Sequence, residues 1–132
     1  MEETLTYVDS EIFVAAAVDN GEKGKTAVDF VFQQSPLATS AFTFSEIIRT
    51  ITKVSGKSQA VWASEKLSNV SHIAILPIDA QIIKKSIELY KTTNLNIRQT
   101  IHLATMQVNN ITQIASLDPA FDKVKGIKRV KI

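Results

Sequence analysis

Three acidic residues stand where an α/β fold would bring distant parts of the chain together. Asp9 ends the apolar run Leu5-Thr6-Tyr7-Val8, Glu46 stands near the start of an amphipathic stretch, and Asp118 follows the run Thr112–Ser116. Clustered carboxylates repel one another, and a divalent cation offsets the repulsion. Mg²⁺ and Mn²⁺ suit such all-oxygen ligand sets and keep several waters. A bound water is easier to deprotonate and can attack a phosphodiester, while the metal stabilises charge on the phosphoryl oxygens. Taken singly, each residue also has a plainer reading. An Asp at a strand end caps the following helix, and a Glu in a first helical turn complements the helix dipole.

Convergence of the three depends on the elements between them. Short apolar runs at 5–9, 36–40, 72–76, 112–116 and 127–132 read as strands, the third stopped by Pro77. Longer amphipathic stretches separate them: 11–18, 25–34, a helix capped by Thr43 or Ser45 and running to about Gly56, 58–69, 81–91 capped by Asp79, and 97–109 capped by Asn96. Gly21 and Gly24 read as a loop, and Pro119–Phe121 as a turn or short helix. This alternation predicts a three-layer α/β/α fold with a parallel sheet of about five strands and helices on both faces. Ligands of such sheets collect at the carboxyl ends of the strands, where the strand order reverses. Asp9 and Asp118 fall at that end, and the helix carrying Glu46 starts there.

Composition narrows the chemistry. The 132 residues fit a single domain over 1–132, with 45% apolar and 21% charged residues. There is no cysteine, which excludes disulfides, thiolate metal sites and a cysteine nucleophile. His72 and His102 are the only histidines, so a histidine-rich metal site is disfavoured. A net charge of +2 does not mark a nucleic-acid binder. Lys123, Lys125, Lys128, Arg129 and Lys131 cluster near the C-terminus, as a solubilising edge or a phosphate-contacting patch. The acidic start Met-Glu-Glu lacks a signal-peptide pattern and no run suits a membrane span, so a cytoplasmic location is the default. No glycine-rich loop follows the first strand, which disfavours dinucleotide-binding and P-loop readings.

Four segments, in order along nearly the whole chain, resemble motifs of the PIN-domain family. They are Tyr7-Val8-Asp9-Ser10 with Ile12-Phe13, Ser45-Glu46-Ile47-Ile48-Arg49, Arg98 through Thr105, and Ile114 through Asp122 followed by Val124 and Gly126. The resemblance, especially to the small VapC-type toxins, implies an endoribonuclease using Mg²⁺ or Mn²⁺. It also implies an RNA substrate, a cognate antitoxin and a homodimer, for which residues 43–67 offer apolar side chains. Carried over by position, Asp9, Glu46 and Asp118 are the catalytic, metal-coordinating acids. Ser116, Asp122 and Glu11 are second-layer candidates, though each has a structural alternative: a strand end, a cap and a solvent-facing first-turn Glu. Arg49 and Arg98 are candidate contacts to RNA or a partner.

The chain departs from the family at Gln99, a metal-ligand position usually held by Asp. Gln offers a neutral oxygen on a longer arm, and affinity for a hard dication rests on ligand charge. A weakened or inactive scaffold that binds RNA or a protein is therefore the alternative function. Family members often have Asn where Glu11 stands. His102 reads as a buried supporting residue rather than a phosphate contact, His72 has no evident partner, and Trp62 reads as buried in a core or interface.

Overall fold

A computed structural model describes residues 4–132; the acidic Met1–Glu3 lies outside the described residues. Its strands are β1 (Thr6–Val8), β2 (Leu37–Ser40), β3 (Ile73–Leu76), β4 (Gln113–Ala115) and β5 (Lys128–Val130). They form one sheet in the order β3-β2-β1-β4-β5, with every pairing parallel. The order reverses at β1, so Asp9 sits at the switch point and β4 delivers Ser116 and Asp118 beside it.

The helices are α1 (Ser10–Val18), α2 (Glu22–Phe32), α3 (Ala41–Ser55), α4 (Lys57–Ser68), α5 (Ala80–Thr92) and α6 (Ile97–Val108). A 3₁₀ helix spans Pro119–Lys123. Strand alternation divides the core into two clusters. Val8, Leu37 and Ala115 pack with Ile12 and Phe13 of α1, Ala27 and Val31 of α2, Ile47 and Ile51 of α3, and Ala63 and Leu67 of α4. Their neighbours Tyr7, Ala38 and Ile114 turn to the other face, against Met106 of α6 and Phe121. The expected three-layer α/β/α fold is thus observed. Central strands buried on both faces explain why the sequence shows apolar runs there rather than alternation.

Three local expectations need correction. Gly24 lies inside α2 rather than in a loop. A Cβ there would sit 1.9 Å from the carbonyl oxygen of Asp19, so the close α1–α2 corner requires glycine. α3 is capped by Ser40, whose hydroxyl accepts from Thr43 N, not by Thr43 or Ser45. Ser40 belongs to β2, so the strand passes into the helix without a loop. Of the two places expected for Trp62, a core or an interface, the core is wrong: the side chain is 55% exposed in the single chain, with Lys66 Nζ 5.6 Å from its ring centre. Gly56, at φ 94°, separates α3 from α4 in a conformation that favours glycine.

Candidate metal centre

Each side chain of the centre is placed by an element that ends or begins at the carboxyl edge of the sheet. Asp9 leaves β1 with its backbone N–H bonded to Ala115 O (3.0 Å) and its side chain fully buried. Oδ1 accepts from Ser10 N (2.8 Å), and Oδ2 accepts from the Ser116 hydroxyl (2.7 Å). Glu46 lies beyond the first turn of α3 and is 7% exposed. α6 begins at the same edge, directing Arg98 and His102, four residues apart and on one helix face, at the two acids.

Arg98 bridges them. Its Nε donates to Glu46 Oε2, and its Nη2 donates to Asp9 Oδ1 and to Ser10 Oγ (3.1 Å). Burial alone would lower the Arg98 pKa, but the charges and hydrogen bonds of Asp9 and Glu46 raise it. His102 is fully buried, with Nε2 2.7 Å from Glu46 Oε1 and Nδ1 2.6 Å from the Tyr7 hydroxyl. Facing a carboxylate oxygen, Nε2 carries a proton. The Tyr7 hydroxyl also lies 2.9 Å from Ser40 Oγ. Burial, then the nearby Asp9 and Glu46 charges, push the Tyr7 pKa up, so the phenol stays protonated and ties β1, the β2–α3 junction and α6 together.

Asp9, Glu46 and His102 each present a ligand atom within 4.8 Å of the others. The two carboxylates are suitable donors for a divalent cation by type and spacing, while the Nε2 proton held on Glu46 makes His102 their support rather than a ligand. Asp118 is not in this group. It caps the 3₁₀ helix through Ala120 N (2.9 Å), its other oxygen accepts from Gln99 Nε2 (2.7 Å), and its N–H donates to Ser116 Oγ (3.0 Å). Ser116 therefore connects Asp118 to Asp9. Gln99 turns its oxygen away from the acids to accept from Asn96 N (2.8 Å), completing a capping box at the start of α6.

The remaining candidates divide. Glu11 is partly buried at the rim of the centre, and burial followed by repulsion from Asp9 raises its pKa, so its environment disfavours a further negative charge there. Asp122 forms a two-point pair with Arg129 (2.9 Å each), whose Nη1 also donates to Ser116 O (3.1 Å). Asp122 thus braces β5 and the strand end instead of facing the acids. The Arg129 hydrogen bond lowers the Asp122 pKa. Its stabilising effect is present above the ordinary Asp pKa and lost as pH falls through the lowered value. The expected result is a small Tm deficit for Asp122→Asn at pH 7 that closes near pH 2; a deficit unchanged by pH would refute the charge-pair account. His72 Nε2 lies 2.7 Å from Val31 O, a structural contact.

An open cleft of about 600 Å³ adjoins the centre, lined by Ser10, Glu11, Glu46, Arg49, Lys53 and Arg98. Glu46, Arg49 and Lys53 share one stripe of α3, so acid and cations face the same opening. Sequence reading placed Arg98 as an outside contact and His102 as support. It missed the bridge between the acids, for which the four-residue spacing was the available signal.

Comparison with known proteins agrees with this architecture. The model of the PIN domain family matches residues 6–127. No curated protein matches the chain's sequence. Among solved structures, Mycobacterium tuberculosis VapC20, a sarcin-ricin loop cleaving toxin, superposes with a TM-score of 0.77 at 15% identity, covering 90% of this chain and 93% of that one. VapBC2 of Rickettsia felis, bound to a promoter DNA fragment, gives 0.72 at 13% identity over 97% and 98%. A toxin–antitoxin complex from Klebsiella pneumoniae gives 0.67 at 20% identity over 92% and 94%. At these identities the structural likeness is one of fold.

Proposed function

Because the chain belongs to the PIN domain family, we propose that it is a toxin-type endoribonuclease that cuts RNA with Mg²⁺ or Mn²⁺. The observation that carries this reading is the convergence of buried Asp9 and Glu46 at the switch point of the sheet, beside a cleft carrying Arg49 and Lys53. Asp9 and Glu46 would hold the cation, with Asp118 contributing from beyond Ser116. When bound, the cation would activate a water and offset charge on the scissile phosphate. Ser116 and Ser10 N fix the Asp9 carboxylate, and His102 fixes that of Glu46. Arg49 and Lys53 would draw the RNA backbone into the cleft. The test is cleavage of labelled RNA with Mn²⁺ or Mg²⁺; cleavage that persists in excess chelator would sink the metal-dependent reading.

One observation favours a weakened catalyst as the second reading: Gln99 spends its oxygen on the α6 cap. Gln99→Asp places a carboxylate against Asp118 and so increases the demand for a cation. The expected result is at least about a tenfold gain in cleavage at limiting Mn²⁺, by analogy with the loss on removing supporting groups around a metal. No gain would clear Gln99 as the defect.

We place the enzyme in the cytoplasm; no helix among the described residues is long and apolar enough to cross a membrane. An antitoxin and a second copy of the chain are the proposed partners. Phe13, Ala17, Val28, Phe32, Trp62 and Leu67 line an apolar groove between α1, α2 and α4 that suits an apolar antitoxin segment. Trp62 is the sole tryptophan, so unchanged fluorescence on complex formation would place the antitoxin elsewhere. Sedimentation equilibrium tests the homodimer: a monomer mass at high concentration would exclude it.

A further inference from the structure

The position between Asp9 and Glu46 already holds a positive charge supplied by the chain itself. Arg98 donates from two different nitrogens to one oxygen of each acid. The other oxygens are also engaged, Asp9 Oδ2 by Ser116 and Glu46 Oε1 by His102. Two carboxylates and one guanidinium leave a single net negative charge, where the acids alone would leave two. We propose that Arg98 is a tethered counter-ion that competes with the divalent cation, which binds Asp9 and Glu46 only when the guanidinium withdraws.

Geometry provides both the resting state and a way out. The acids are 0% and 7% exposed, so unpaired they would be buried like charges, a costly arrangement. The Arg98 side chain is 29% exposed and borders the open cleft, giving the guanidinium a solvated position to move into. Gln99 adds no charge to strengthen the cation's side of the competition. When the competent arrangement is a minority, apparent affinity falls by its fractional population.

The inference rests on the reading of Asp9 and Glu46 as a metal centre, and the experiment separates the two. Mn²⁺ binding is measured by calorimetry and by the loss of the free-ion paramagnetic resonance signal. The proteins are the native chain, Arg98→Met, Arg98→Lys and Asp9→Asn. Arg98→Met removes the charge but keeps an apolar stem. Arg98→Lys keeps a charge that lacks the fork spanning both acids, so it remains informative if Arg98→Met does not fold. The expected result is weak binding by the native chain and about 10–100-fold tighter binding by Arg98→Met. Arg98→Lys should lie between them, and Mn²⁺ should raise the Tm of Arg98→Met more than that of the native chain. Native binding that is lost in Asp9→Asn but not tightened by either Arg98 variant would overturn the counter-ion role and leave the metal centre standing. No Mn²⁺ binding by any folded protein in the set would overturn both.

Discussion

On the proposed function, Asp9→Asn is expected to lower RNA cleavage by about a hundredfold or more, the upper end of the loss for supporting groups around metals. The change keeps shape and removes charge at a fully buried position. Asn can still present an oxygen to Ser10 N and Arg98, and its amide can donate to Ser116. The structural penalty is therefore a weakened Arg98 interaction, about 1–3 kcal/mol, and the fold persists. The check is single-turnover cleavage alongside thermal melting. A folded Asp9→Asn protein with native cleavage would remove Asp9 from the catalytic set. A Glu46→Gln change is less clean, because it disturbs both Arg98 and the buried His102.

Gly24→Ala lowers stability by about 2–3 kcal/mol, the upper part of the usual range for overpacking. Propensity alone gives the opposite sign, since Ala in a helix interior is favoured over Gly by about 1 kcal/mol. Sterics win here because the new Cβ would stand 1.9 Å from Asp19 O and 2.7 Å from its carbonyl carbon. These are backbone atoms, so no side-chain rotation relieves the clash, and α1 must separate from α2. The expected Tm is about 10 °C below native. A Tm equal to or above native would show that the corner opens freely. Since both helices line the apolar groove proposed for the antitoxin, binding there should weaken together with stability.

Much of the architecture was legible in the chain because it depends on local rules. Apolar runs alternating with amphipathic stretches implied the parallel sheet, and Asp79 and Asn96 cap α5 and α6 as side-chain chemistry dictates. The errors fell where a neighbour outweighed propensity. Gly24 read as a loop because glycine disfavours helices, and only the approach of Asp19 explains its place in α2. Ser40 could be both strand end and cap because β2 feeds α3 directly.

Within the site, the sequence by itself indicated which acids lie at the carboxyl edge: Asp9 follows β1, Asp118 lies just beyond β4, and Glu46 rides the helix that follows β2. It also determined that oxygen must dominate any metal ligation, since the chain lacks cysteine and has two histidines. Tertiary structure alone decided how those groups share their hydrogen bonds. It brought Arg98 across to two acids 89 and 52 residues away in sequence, drew the Gln99 oxygen into a cap, and set Asp118 behind Ser116. The physical reason is that residue type states how many bonds a side chain can make, while the packing of α6 on the sheet face beside Tyr7 and Ile114 determines which partners are in reach.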